Sequence, residues 1–159
     1  MKFFPSTDYE FKLSGNQVEA MERLERRTGK SRVAAANRPE KSFLGSVDQN
    51  RFTLTSSQIG AGALCKLSGK IDNGVGRVKV ELKMAFKIVF SAVFILPIGG
   101  TISEISKTPD KALLFVIVGI LQFLMIRFFF IEYFFFRRSA RKSLDRLSDV
   151  LDIESIKKV

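Results

Sequence analysis

Two long runs without a charged residue constrain this chain more than any other feature of its sequence. Positions 88–102 and 112–126 contain no Asp, Glu, Lys or Arg. They lie in segments 84–103 and 112–131, each of about 20 residues, which at ~1.5 Å per residue matches the ~30 Å hydrocarbon core of a bilayer. The 159-residue chain is too short to wrap two helices that are apolar on every face, so both segments are predicted to cross a membrane.

The link between the two segments is short, so they are predicted to form an antiparallel hairpin with an external loop at 104–111. Pro97 lies in the outer half of the first segment. Because the residue before a proline avoids helical backbone angles, a kink or an early end is expected near Leu96.

The distribution of basic residues predicts the orientation of this hairpin. The chain carries 26 Lys and Arg against 16 Asp and Glu, and four basic residues stand in "RRSARK" at 137–142. The connecting loop has only Lys107 and Lys111. The positive-inside rule therefore places both termini in the cytoplasm, and it accounts for the positive charge without a nucleic-acid partner.

The stretch "MIRFFFIEYFFFRRSARK", residues 125–142, marks where the second membrane segment meets the cytoplasm. The segment is predicted to end as an aromatic interfacial turn, giving a second transmembrane helix over 112–136. Aromatic and long basic side chains favour the headgroup level, and a deeper Arg extends toward it. The predicted interfacial anchors are Arg127, Tyr133, Arg137 and Arg138.

Glu132 is predicted to form a structural ion pair at the membrane edge. If residue 103 faces residue 112, Glu132 lies level with Lys83, and Lys87 lies one turn away, so either lysine is a candidate partner. A pair between Arg127 and Glu132 is disfavoured, because a five-residue offset turns about 140° around an α-helix. The functional alternative is an ion or proton pathway, for which one charged pair near an interface gives little support.

Residues 1–83 are predicted to form a cytoplasmic α+β domain. "YEFKLS" alternates as a strand, and Ser14 with Gln17 suggests the capped start of a helix, with a Leu13–Val18 staple. Val18, Met21 and Leu24, with Ala20, form a narrow apolar stripe on that helix, and its remaining residues are charged and predicted to face solvent. Gly29 is expected to end the helix.

Two hairpins should follow in this domain. "KSFLGSV" and "RFTLTSS" flank "DQN", and "ALCKLSGKI" and "GRVKVELKM" flank "DNGV". Residues 29–41 and 57–63 are expected to connect them to their neighbours. Cys65 alternates with Leu67 and Ile71, so it is predicted to be a small core residue.

The tail 137–159 is predicted to be a cytoplasmic amphipathic helix, with its apolar face packed on the sheet. The alternative is a docking face for a partner or a second copy. The predicted fold class is an α+β membrane protein, with a small antiparallel sheet of four or five strands, one or two packed helices and a two-helix transmembrane hairpin.

The run "FLGSVDQNRFTL … CKLSGKIDNGVGRVKVELKM", followed at once by the apolar hairpin, resembles a group of uncharacterised small bacterial membrane proteins. These have a β-rich soluble N-terminal half ahead of two membrane helices, and the likeness covers roughly residues 9–136. It implies this layout and a location in the bacterial inner membrane. The strand–helix–sheet–helix order also resembles helix-grip lipid-binding domains.

The sequence contains no His and a single Cys. A Cys–His or Ser–His site and the usual zinc sites therefore cannot be built, and no catalytic residue, metal ligand or cofactor is predicted. The expected function is non-enzymatic: a protein-binding, accessory or immunity-type role, with the lipid bilayer and a protein partner or a second copy as the interacting species. The alternatives are a module that binds lipid or another hydrophobic ligand, and an oligomeric transporter or membrane enzyme subunit.

Overall fold

The computed structural model describes residues 4–29, 41–57 and 61–159. The chain forms two compact units, one of Met1–Lys83 with Arg138–Val159 and the other of Met84–Arg137. We call the first the sheet domain and the second the apolar hairpin. Most of the predicted connector 29–41, and residues 58–60 of the connector 57–63, lie outside the described residues.

The sheet domain is built on a seven-stranded sheet, which makes the fold α+β with a mixed sheet. The strand order is β2-β3-β4-β5-β6-β1-β7, and every pairing is antiparallel except the parallel pair β2–β3. The predicted antiparallel sheet of four or five strands was thus too small, because the prediction missed both edge strands, β2 and β7. The strands are β1 Ser6–Leu13, β2 Thr28–Gly29, β3 Phe43–Asp48, β4 Arg51–Ser56, β5 Cys65–Asp72, β6 Val75–Leu82 and β7 Ile153–Lys158.

The four strands predicted as two hairpins are confirmed as β3 to β6. Asn73 and Gly74, between β5 and β6, have φ angles of +52° and +78°. Two consecutive residues with positive φ give the type I′ turn, whose twist matches that of the flanking strands. This turn sets the register in which Asp72 pairs with Val75.

Helix α1, Gln17–Arg27, begins two residues later than the predicted cap at Ser14 implies. The cap is Asn16, whose side-chain oxygen accepts a hydrogen bond from the Val18 backbone at 3.0 Å. Val18 itself is 62% exposed, so the predicted staple with Leu13 is wrong. Gln17 instead ties the helix to the sheet: its amide nitrogen donates to the carbonyl of Ile71 at 3.2 Å, and its amide oxygen accepts from Gly74 at 3.3 Å.

The apolar hairpin contains two α-helices, followed by a π-helix over Met125–Arg137. Helix α2 is Met84–Lys107, and helix α3 is Ala112–Leu124, preceded by a 3₁₀ turn at Pro109–Lys111. Helix α2 continues through Pro97, so the early end expected near Leu96 is wrong, and the helix takes up part of the predicted loop 104–111.

Two helical stretches, Met84–Lys107 and Pro109–Leu151, are long and apolar enough to cross a membrane. Within the hairpin, Phe94 packs against Phe123 with ring centroids 4.8 Å apart. A Cβ atom at Gly119 would lie 2.4 Å from Oγ1 of Thr101, so a larger residue at position 119 would require the Thr101 side chain to move.

The tail was predicted to be one helix over 137–159, and this is wrong beyond residue 151. Helix α4 is Arg138–Leu151. Asp152 then takes a positive φ of +56°, and β7 pairs with β1 so that Ile156 lies opposite Phe11. Helix α4 packs on the sheet domain, with Leu147 and Leu151 fully buried, as the favoured interpretation of the tail proposed.

One face of the sheet forms the core of the domain, because α1 and α4 cover it. The strands alternate so that their apolar side chains share this face, where the interior is filled by residues less than 2% exposed. The largest of them in the sheet domain are Phe11, Leu24, Phe43, Leu54, Leu67, Ile71, Val78, Val80, Leu82, Leu147 and Leu151.

The opposite, outer face of the sheet is polar and largely charge-paired. The side chain of Arg77 lies 3.1 Å from that of Glu10 across the β6–β1 pairing. Lys79 and Glu81 form a second pair at 3.5 Å, and Lys70 lies 2.6 Å from Asp72. The hydrogen bond from Lys70 lowers the pKa of the Asp72 carboxyl below its ordinary value. This face therefore carries both signs of charge in close pairs.

Candidate membrane-interface site

The charged and aromatic stretch that follows the second apolar segment is a π-helix, Met125–Arg137. Its 13 residues include six Phe and one Tyr. A π-helix closes its backbone hydrogen bonds over five residues instead of four, so residues five apart come close to the same face. Such helices are rare, and short π segments occur often at functional sites.

Arg127 and Glu132 form an ion pair within this π-helix. A guanidinium nitrogen of Arg127 lies 3.0 Å from a carboxylate oxygen of Glu132, with side chains 11% and 37% exposed. In an α-helix, a five-residue offset separates the two side chains by about 140°, and the pair was disfavoured on that geometry. In the π-helix the same offset brings them together, so that expectation is wrong.

The pairing has a direct electrostatic consequence for the hairpin. An unpaired guanidinium is costly in an apolar environment, and a paired charge with a short hydrogen bond is less so. The guanidinium of Arg127 also lies 5.3 Å from the ring centroid of Phe128, a cation–π distance. Arg127 thus has local partners for its charge instead of depending on lipid headgroups alone.

Aromatic contacts continue toward the C-terminal end of the π-helix. Phe129 stacks on Tyr133 with centroids 5.9 Å apart, and Arg137 lies 5.6 Å from the Tyr133 ring. Tyr133 is 59% exposed, and its role as an anchor at the headgroup level stays a prediction. Arg138, the last predicted anchor, is exposed and begins α4.

The two lysines predicted as partners of Glu132 occupy different units. Lys83 follows β6 in the sheet domain, and its backbone N–H donates to the carbonyl of Leu64 at 3.0 Å. Lys87 lies in α2, where its carbonyl accepts a hydrogen bond from Ser91 at 2.8 Å. A contact of Glu132 with either lysine, and the membrane-edge role of these residues, stay predictions.

Two kinds of reactive group are relevant to catalysis: nucleophilic side chains and clusters of metal ligands. Cys65 is fully buried in the sheet core, and this burial raises the pKa of its thiol to about 12. A thiol held protonated in this way is a poor nucleophile. Within residues 4–29, 41–57 and 61–159, no three His, Cys, Asp or Glu side chains cluster as metal ligands would.

Comparisons of the chain with protein families, with curated proteins and with solved structures give no match.

Proposed function

We propose that this protein is an integral protein of the bacterial inner membrane whose sheet domain binds a protein partner in the cytoplasm, in a non-enzymatic accessory or immunity-type role. The observation that carries the proposal is the place of the apolar hairpin in the chain. One residue, Lys83, separates the end of β6 from the start of α2, and Arg138 of α4 follows Arg137 directly.

The domain also depends on chain from both sides of the hairpin. Strand β7 pairs with β1, and α4 buries Leu147 and Leu151 in the core of the domain. Two short connections attach a domain to a membrane more firmly than one flexible linker would. This arrangement suits a module whose task is to hold a partner at the membrane.

The charge pattern of the outer sheet face supports a protein as the partner. A face that binds nucleic acid or anionic lipid carries an excess of unpaired basic residues. Here Arg77, Lys79 and Lys70 each lie beside a carboxylate. Alternating charges of this kind favour specific recognition of a complementary protein surface.

The filled interior of the domain argues against the hydrophobic-ligand alternative. A lipid-binding module needs an apolar cavity of several hundred Å³. Between the sheet and the two helices, Leu24, Leu67 and Leu147 are each 0% exposed and occupy that space.

Site-specific photocrosslinking in intact cells tests the proposed function. A photoreactive amino acid is placed at Ser46 and, separately, at Ser68, which lie on one cross-strand row of the outer face. The matched control is Val18 on the exposed side of α1. We expect Ser46 and Ser68 to give the same adduct, identified by mass spectrometry, and Val18 to give none.

Two results would count against this role. Adducts of equal yield from Val18, or different and numerous proteins from the two sheet positions, would show contact without recognition. An adduct of two copies of this chain would replace the separate partner by self-association.

A further inference from the structure

A groove in the sheet domain collects basic side chains that the proposed function does not use. It lies between α1 and α4 and has a volume of about 580 Å³, within the range of small-molecule sites. Among the described residues, its lining consists of Arg23, Arg26, Arg27, Asp149 and Val150. Three arginines against one aspartate give the groove a net positive charge.

Arg23 is the informative member of this group. Its Nε atom is buried and has no hydrogen-bond partner within the described part of the chain. Leaving a charged donor buried and unsatisfied is costly, and most such donors in proteins have a partner. An acceptor from outside the chain would remove this cost.

The position of the arginines has a simpler partial explanation. Cations in the last turn of a helix stabilise its dipole, and Arg26 and Arg27 occupy the last turn of α1. That explanation does not account for Arg23, which lies a turn earlier on a half-buried side chain and whose Nε atom is buried without a partner. Lys41 adds another cation at this helix end, since its ammonium group donates to the carbonyl of Arg26.

We infer that this groove, which we call the arginine groove, binds a phosphate-bearing anion. The planar guanidinium presents parallel N–H donors that match two phosphate oxygens, and Arg is the residue most suited to such recognition. Val150 offers an apolar contact for the rest of the ligand, and Asp149 can accept a hydrogen bond from a hydroxyl group on it. The ligand is either a soluble phosphorylated compound or the headgroup of an anionic lipid, which share this chemistry.

Calorimetric titration of the full chain in neutral detergent micelles tests the inference. The soluble arm uses inorganic pyrophosphate. The lipid arm uses short-chain phosphatidylglycerol below its micelle-forming concentration, with short-chain phosphatidylcholine as the uncharged comparison. We expect saturable binding in one arm, weakened about tenfold or more by Arg23→Gln, since the substitution removes a charge-assisted hydrogen bond to the phosphate.

The matched control is Arg51→Gln. Arg51 is exposed on β4, and its substitution removes the same charge outside the groove. We expect this variant to bind within about twofold of the original chain, because general attraction between opposite charges is weak at an exposed site. Thermal unfolding of each variant checks that it is folded, and Arg26→Gln at an exposed position replaces Arg23→Gln if the latter does not fold.

Each outcome decides the inference. Binding of pyrophosphate that depends on Arg23 supports a soluble ligand, and binding only of phosphatidylglycerol with the same dependence supports a lipid headgroup. No saturable binding in either arm, or equal weakening by the Arg23 and Arg51 substitutions, overturns the arginine groove as a ligand site.

Discussion

Gly76 on β6 lies directly opposite Phe11 on β1, and the aromatic ring occupies the space a side chain would need. A Cβ atom at Gly76 would come within 2.1 Å of the ring, and Phe11 is only 2% exposed, so the ring has little room to move. We expect Gly76→Ala to lower the free energy of unfolding by about 1–3 kcal/mol, the usual cost of overpacking. Chemical denaturation measures the change.

Two further variants isolate this clash. Gly15→Ala is the control, because a Cβ atom there meets nothing within 4 Å. Phe11→Leu in the Gly76→Ala background should recover part of the loss, since the smaller side chain leaves room for the new methyl group. Equal effects of Gly76→Ala and Gly15→Ala would contradict the packing seen between ring and glycine.

Cys65 gives a prediction that depends on pH. Burial raises the pKa of its thiol from 9.0 to about 12, so at pH 8 far fewer thiols are ionised than the roughly one in ten expected at a pKa of 9.0. We expect a disulfide reagent to leave native Cys65 unmodified and to modify it fully after denaturation. A cysteine placed at exposed Ser14 in a Cys65→Ala background should react fast in both states.

The sign of the linked stability change follows from the direction of this shift. The folded state holds the proton more tightly, so the contribution of Cys65 is complete below pH 9 and is lost as the pH rises toward 12. Cys65→Ala should remove this part of the alkaline decline in stability. Rapid modification of native Cys65 at pH 8 would contradict the burial.

At the scale of elements, the sequence predicted strands and apolar segments well and helix types poorly. Strands β3 to β6 alternate strictly or flank a strong turn, so a period of two identifies them. Strand β7 was missed because Ile153 and Ile156 are three residues apart, a spacing that also suits a helix continuing from α4. Strand β2 has only two residues, Thr28–Gly29, which is too short for any period to appear.

The geometry of the site around Arg127 and Glu132 depends on the type of helix that carries it. The sequence singled out Arg127 and Glu132 but assigned them different partners, because apolar patterning does not distinguish an α-helix from a π-helix. The arginine groove was also missed, since Arg23, Arg26 and Arg27 resemble the solvated side of an ordinary amphipathic helix. Only the position of α4, which comes from the far end of the chain, turns them into the wall of a groove.

The ion pair of the π-helix is testable by a double-mutant cycle in detergent. Glu132→Gln should lower the free energy of unfolding by about 1–3 kcal/mol, because Arg127, 11% exposed, then lacks its charged partner. Arg127→Gln with Glu132→Gln should be less destabilising than the two single changes added together. Thermal unfolding followed by circular dichroism gives the energies.

The control for this cycle is Glu104→Gln, which breaks the exposed pair of Glu104 with Lys107 in α2. Exposed pairs contribute little, so this substitution should leave stability nearly unchanged. Additive effects at residues 127 and 132 would mean that the two charges do not interact.

For the whole molecule, the order of the chain links folding of the sheet domain to the apolar hairpin. Strand β1 lies between β6, which precedes the hairpin, and β7, which follows it. The sheet therefore cannot be completed until both apolar segments have been synthesised. Strand β6, before the hairpin, and α4, after it, belong to one domain. If the two apolar segments cross a membrane, the second must therefore return the chain to the side from which the first departed.

That requirement predicts, independently of the count of basic residues, that both flanks of the hairpin lie on one side of the membrane and its loop on the other. The positive-inside rule then predicts which side is external, and cysteine labelling in intact cells tests both. In a Cys65→Ala background, Ser106→Cys at the end of α2 should react with a membrane-impermeant maleimide in intact cells. Lys142→Cys in α4 should react only after the membrane is permeabilised. Both positions are exposed, whereas the neighbouring Ser143 is fully buried and would not react from either side.

Labelling of Lys142→Cys from outside would reverse the orientation given by the positive-inside rule, and with it the cytoplasmic location of any partner. Labelling of both positions from outside would mean that the hairpin does not cross the membrane at all.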